Sequence, residues 1–348
     1  MSNLLIYAVS AILFAGIFPV TGETPGGHLH GMKPSLKGAS GWINTPPLDL
    51  AELRGKVVLV DFWTYTCINW RRTMPYIRDW ATKYKDQGLV VIGVHTPEFL
   101  FEQKPEHVNI AVKEVDISYP VAMDNNYEIW NSFQNQYWPA LYLIDAKGMI
   151  RHEKFGEGNY EEAERWIQQL LKETAAGSAP ATATALQPQG FEVPADWENL
   201  KSPENFLGYN RTQGFASTGS AKLEKQASYT APRQLRLNQW ALVGEWTMRE
   251  EYVVSGKEHG KIIYRFHARD LHLIMGTASP GTSIRFRVLI DGHSPGEAHG
   301  LDVDSDGNGT VSGPRMYQLI RQQGPVTDRE FQIEFLDPGV EVYDFTFG

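Results

Sequence analysis

Hydrophobic and polar positions change rhythm part-way along the chain. Residues 56–63, "KVVLVDFW", form a continuous apolar run of strand length, the pattern of a strand buried on both faces. Residues 69–88 have helical spacing and end at Gly88, a helix stop. "LVVIGVHT" predicts a second buried strand, residues 106–117 a helix, "YPVAMD" a short strand and "NYEIWNSFQ" a helix. "ALYLIDAKG" and "MIRHEKFG" predict two strands joined by a turn at Lys147-Gly148. Residues 159–173 predict an amphipathic helix with Trp166 and Leu170 on its apolar face and acids near its start. Strands alternating with helices, then a hairpin and a last helix, describe an α/β unit with a mixed sheet.

After residues 174–190, an uncharged stretch of mostly Ala, Thr, Pro, Gly and Ser that reads as a linker, the period changes to two. Ile284, Phe286, Val288 and Ile290 alternate with Arg285 and Arg287. Phe331, Ile333 and Phe335 repeat the pattern, "VYDFTFG" ends the chain in the same way, and residues 260–276 supply two more strands. Half-buried strands between Gly, Pro and Asp turns predict an all-β sandwich, jelly-roll-like. The expected division is therefore a leader at 1–22, a flexible tether at 23–40, the α/β domain at 41–173, the linker at 174–190 and the β domain at 191–348.

Composition narrows the function classes. A chain of 348 residues accommodates two globular units. A net charge of −9 without a basic stripe argues against a nucleic-acid partner. The single cysteine excludes an intramolecular disulfide and any multi-cysteine zinc site, and nothing requires a cofactor. The apolar run at 4–20, followed by polar "TGETPGGH", predicts an export leader cleaved after Gly22 or kept as an anchor, although residues 2–22 lack Lys and Arg.

Cys67 falls where the first buried strand gives way to a helix, so the helix N-terminus, with Arg71 and Arg72 one turn on, would lower its pKa from about 8.5 towards 7 or below. The bland alternative is an inert buried cysteine. Asp61, a carboxylate inside an apolar strand, is an oddity that calls for a proton or a partner.

These residues carry a resemblance. "DFWTYTCINW" resembles the W-T-Y-[ST]-C-I-N-C signature of thioredoxin-fold proteins of the TlpA-like, DipZ-type family. "GLVVIGVHTPEF", "YPVAMDNNYEIWN", "YWPALYLID" and "FGEGNYEEAE" extend the resemblance through the α/β unit. "FHARDLHL", "RFRVLIDG", "GTVSGPRMYQLIRQ" and "IEFLDPGVEVYDFTFG" are similar to the β domain that follows it. The resemblance implies thiol–disulfide exchange with protein or small-molecule thiols and disulfides. It implies Cys67 as attacking thiol, Asp61 as the buried acid, Trp63 as the aromatic over the thiol, Pro75 as the helix proline and Pro139 as the cis-proline facing the thiol. It also implies a membrane electron carrier, here a separate protein, and an extracytoplasmic location.

The second cysteine of the signature is Trp70 here. A mixed disulfide on Cys67 then has no internal resolving thiol. Three outcomes stand open: exchange by one thiol with an external thiol resolving, a peroxide-reactive thiol, or a non-catalytic binding fold. The P-x-x-x-T-x-x-C peroxidase pattern is half present, with Thr64 in place but Val60 where proline belongs.

Other candidates are weaker. Residues 302–313 begin like a calcium loop at Asp302 but end in Gly313 instead of a bidentate Glu. His28, His30 and Met32 are soft donors on a tether that fixes no geometry. Trp240, Trp246, Tyr252 and Tyr317 could bind carbohydrate on the β domain if exposed, or belong to its core.

Overall fold

The computed structural model describes residues 31–174, 186–279 and 281–348. The leader, residues 23–30 of the tether including His28 and His30, and residues 175–185 of the linker lie outside the described residues.

The first unit is built on a six-stranded sheet in the order β1-β4-β3-β2-β5-β6. Its strands are β1 (Gly41–Ile43), β2 (Val57–Trp63), β3 (Leu89–His95), β4 (Val121–Met123), β5 (Ala140–Ile144) and β6 (Ile150–Phe155). β2, β3 and β4 run parallel; β1, β5 and β6 pair antiparallel. The helices are α1 (Ile68–Lys83), α2 (Pro105–Glu114), α3 (Glu128–Ser132) and α4 (Tyr160–Lys172). β2 reads as an unbroken apolar run because both its faces are covered. Val57, Leu59 and Trp63 feed one core with α1 and α4, while Val58, Val60 and Phe62 feed a second core with α3. Asp61 points to the first of these. In α4 the buried stripe is Ala163, Ile167, Leu170 and Leu171. Trp166 sits at its edge, stacked on His152 at 5.0 Å, rather than in the stripe itself.

In the second unit the strands pair antiparallel with one another. Its strands are β7 (Asn205–Phe206), β8 (Gln226–Tyr229), β9 (Trp240–Met248), β10 (Val253–Ser255), β11 (Gly260–Phe266), β12 (Asp270–Thr277), β13 (Ile284–Ile290), β14 (Asn308–Val311), β15 (Arg315–Arg321), β16 (Arg329–Phe335) and β17 (Val340–Phe347). The main path is β14-β13-β16-β11-β9-β10-β17-β12-β15. β9 joins its two halves. Trp240–Val243 pair with β11, and residues from Gly244 onward pair with β8 and β10. Gly244 supplies the bend at φ +93°, which a side chain would disfavour. The sheet thereby folds over on itself around a core of Trp240, Trp246, Tyr264, Phe331 and Phe345.

Three expectations change. Trp240, Trp246 and Tyr317 are fully buried, so they form core and not an exposed carbohydrate platform; Tyr252 is half-buried against Tyr343. The calcium-like loop uses the carboxylates of Asp302 and Asp304 internally. Asp302 accepts from Arg315 Nη2 (2.6 Å) and the Gln318 amide (2.8 Å), and Asp304 caps a turn through the Asp306 and Asn308 amides. β17 does not alternate, because Tyr343, Asp344 and Thr346 are buried along with Phe345 and Phe347.

The reason for the last change is that the two units share a core. Phe206 and Tyr343 pack on Phe99 and Phe101 of the loop after β3, with Tyr343 centred 5.3 Å and 4.7 Å from those rings. Ile274 and Met316 join the same cluster. Arg211 closes the seam, lying 3.4 Å over the Phe206 ring and bonding Glu98 at 2.7 Å. Truncating Tyr343 to Ala opens this seam and is expected to cost about 3 kcal/mol. Urea unfolding followed by fluorescence and circular dichroism checks it; a loss below about 1 kcal/mol, the scale of a surface substitution, contradicts a shared core.

Candidate functional site

Cys67 ends the short turn that leaves β2 and occupies the N-cap of α1, with φ −75° and ψ 114°. Its amide donates to Thr64 O, and its carbonyl accepts the first helical bond, from Arg71, at 3.0 Å. The amides of Asn69 and Trp70 face the sulfur and favour its thiolate. The thiol is free, and Cys67 as a residue is half-buried.

Trp70, one turn on and fully buried, does something that spacing did not show. Its indole Nε1–H donates to Asp61 Oδ2 at 3.0 Å. Its ring stacks on Trp63 at 4.3 Å with an interplanar angle of 20°. Trp63 in turn meets the edge of His95, centred 4.8 Å away. Burial raises the Asp61 carboxyl to about 7, opposed by the Trp70 bond and the more distant charge of Lys154. Burial pushes His95 down to about 3, so that imidazole is neutral, and neither nitrogen has a partner among the described residues.

The expected activation of Cys67 is reversed. Burial raises its thiol well above the ordinary value, and the carboxylates of Glu204 and Glu98 add to that; the Trp70 and Asn69 amides pull the other way and are outweighed. Cys67 is half-buried and lies deep among protein atoms, so little solvent is available to stabilise a thiolate. The two arginines do not help. Arg72 bonds Glu157 at 3.1 Å, and Arg71 lies over the Phe191 ring at 5.5 Å.

Pro139 immediately precedes β5 and follows a cis Trp138–Pro139 bond, and its carbonyl accepts from the Gly156 amide at 2.8 Å. Trp138 Nε1 donates to Thr96 O at 3.1 Å, tying that loop to the end of β3. Pro75 lies within α1, buried. Sequence reasoning missed Glu98, Glu102, Glu204 and Asp344. Glu102 accepts from Thr66 Oγ1 at 2.6 Å and from the Glu98 and Phe99 amides; burial raises it to about 7. Asp344 carried a usable signal, an acid flanked by apolar and aromatic residues in a strand. Among the described residues no group of three or more His, Cys, Asp or Glu is placed to hold a metal ion.

Comparison with known proteins agrees with this architecture. The AhpC/TSA family model matches residues 35–153, and the model described as a thioredoxin-like C-terminal domain matches residues 202–348. The thiol-disulfide oxidoreductase YkuV of Bacillus subtilis is 30% identical over 141 residues, 40% of this chain and 95% of YkuV. The chain belongs to the thioredoxin-like redoxin family. Protein DipZ of Mycobacterium tuberculosis is 41% identical over 259 residues, 73% of this chain and 36% of DipZ, so the matched region spans little more than a third of that relative. The thiol-disulfide oxidoreductase ResA of Bacillus cereus is 29% identical over 123 residues, 35% of this chain and 68% of ResA.

The Trp70–Asp61 pair has a pH signature for a redoxin that carries it. Unfolded Asp61 titrates near 3.8 and folded Asp61 near 7. Between those values the folded state keeps a proton that the unfolded state has lost, so stability falls as pH rises through this window. Asp61→Asn removes the fall, up to about 4 kcal/mol between pH 4 and pH 8. Denaturant unfolding of both chains across that range checks it; parallel profiles contradict it.

Proposed function

We propose that the chain carries out thiol–disulfide exchange through one thiol, Cys67. The observation that carries this reading is the half-buried Cys67 at the N-terminus of α1, its sulfur facing the Asn69 and Trp70 amides, in a chain of the redoxin family. Cys67 thiolate attacks one sulfur of a disulfide, forms a mixed disulfide and expels the other half as a thiolate, which takes up a proton. An external thiol then attacks the mixed disulfide and regenerates Cys67. Trp63 and Trp70 form the stacked wall beneath the turn. Asp61 holds Trp70 in place instead of moving protons for a second cysteine. Pro139 and its loop offer backbone for a partner to align against.

The setting is extracytoplasmic, which the apolar N-terminal run supports, and the electrons come from thiols outside this chain, including a separate membrane carrier. Among the described residues no helix is long and apolar enough to cross a membrane.

One feature favours the non-catalytic reading: burial, with the carboxylates of Glu204 and Glu98, pushes the Cys67 thiol up. The two readings differ in turnover. In a glutathione-coupled disulfide-reduction assay the full chain is expected to turn over, and Cys67→Ser to lose all of that rate. A rate that survives Cys67→Ser, or no rate in the unsubstituted chain, contradicts exchange at Cys67. Trp70→Cys is expected to form an internal disulfide under oxidising conditions while losing about 3–5 kcal/mol, since a buried indole leaves a cavity. Thiol titration and denaturant unfolding of that variant check both parts.

A further inference from the structure

The turn that carries Cys67 and the loop after β3 meet at one buried carboxylate. Glu102 is fully buried and divides its two oxygens between them. Oε2 accepts from the Glu98 amide at 2.7 Å and the Phe99 amide at 3.0 Å, capping the short helical turn Leu100–Gln103. A cap needs nothing more. Oε1 accepts instead from Thr66 Oγ1 at 2.6 Å. Thr66 is itself fully buried and is the residue before Cys67. A second contact runs beside this bond: Tyr65, the residue before Thr66, packs on Phe101 with 6.1 Å between ring centres.

The loop is a firm anchor because the β domain grips it. Phe99 and Phe101 pack on Tyr343, Glu98 bonds Arg211, and the Leu100 amide donates to Glu251 Oε2 at 3.2 Å. Each residue from Glu98 to Phe101 thus touches the β domain, and Glu102, next in the chain, reaches back to the thiol turn. A hydroxyl bonded to a buried carboxylate at this length is held more strongly than in a bond between neutral groups, and breaking the bond leaves a buried acceptor without its donor. The Thr66 side chain is therefore fixed, and with it the backbone that sets Cys67 at the N-cap of α1 in its half-buried place.

We propose that Glu102 is a positioning residue for Cys67, holding the thiol turn to the loop after β3 through its bond to Thr66 and so limiting the exposure of the lone thiol in the resting chain. This rests on the exchange reading for its purpose. Without a second cysteine, a thiol that reacted freely would stay in whatever mixed disulfide it met or pass to sulfenic acid. Held in place, Cys67 meets less water, and burial is what chiefly opposes its ionisation. Cutting the bond lets the turn swing outward and hydrate the sulfur, so the thiolate forms more readily and reagents reach it sooner. Glu102 acts through Thr66 alone and takes no part in the exchange of sulfur or protons.

Iodoacetamide alkylation of Cys67 in the full chain, followed across roughly pH 7 to 10, reads the thiol directly. Thr66→Val keeps the shape and loses the hydroxyl; it is expected to raise the rate roughly fivefold and displace the pH profile downward. Glu102→Ala is expected to do the same, and the double variant no more than either alone, the signature of two residues joined in one interaction. Glu102→Gln keeps an acceptor for the two amides and can donate to Thr66 Oγ1, so it is expected to stay within about twofold of the unsubstituted chain. A bond with only a structural role would lower stability to urea and leave the profile where it is. A rate that Thr66→Val leaves unchanged or lowers, effects that multiply in the double variant, or a Glu102→Gln chain as fast as Thr66→Val overturns the proposal; the last would make the charge of Glu102, and not its bond, the cause. Thr66→Val against Glu102→Gln decides the matter if Glu102→Ala does not fold. Alkylation needs no turnover. A failed exchange assay with the expected profiles therefore removes only the exchange reading, and turnover with unmoved profiles removes only the role of Glu102.

Discussion

The bond from Trp70 Nε1 to Asp61 Oδ2, 3.0 Å long and sealed from water, is the interaction on which the site depends. A carboxyl in the apolar face of β2 is costly unless protonated or bonded. Trp70 supplies a donor and at the same time fills the volume beside the helix start with a ring stacked on Trp63. The strand, the turn and the first turn of α1 are thus locked around Cys67 without a second sulfur. Asp61 is the acceptor for that indole donor.

A second constraint sets the reactivity of the thiol. The shared core of Phe99, Phe101, Phe206 and Tyr343 fixes the β domain against the loop after β3. That brings the charge of Glu204 to bear on the Cys67 thiol. A helix N-terminus alone would activate a cysteine. Here desolvation and facing carboxylates outweigh the helix amides, because buried charge is weakly screened. The domain that protects the site also restrains it.

Much of the fold was legible in the sequence. Apolar runs marked β2, β3 and β5, alternation marked β13 and β16, and the spacing around Cys67 placed it at the N-cap of α1. What failed was whatever depended on contacts distant in sequence. β17 looked half-exposed because nothing local shows that its polar face meets the first unit. The four aromatics of the β domain could not be sorted between surface and core from composition, since packing alone decides it. Cys67 looked activated because a local argument counts the helix and the neighbouring arginines. The structure instead sends Arg72 to Glu157 and brings Glu204 in from the other domain. Asp61 and Trp70 were each noticed, but their bond depends on how β2 and α1 pack together.

Intact-mass analysis of the full chain after exposure to glutathione disulfide tests most directly whether one thiol suffices. The account predicts gain of a single glutathionyl group, located on Cys67 by peptide mapping and removed by added thiol, with no adduct in Cys67→Ser. No adduct on the unsubstituted chain, or an adduct on Cys67 that added thiol cannot remove, would contradict it.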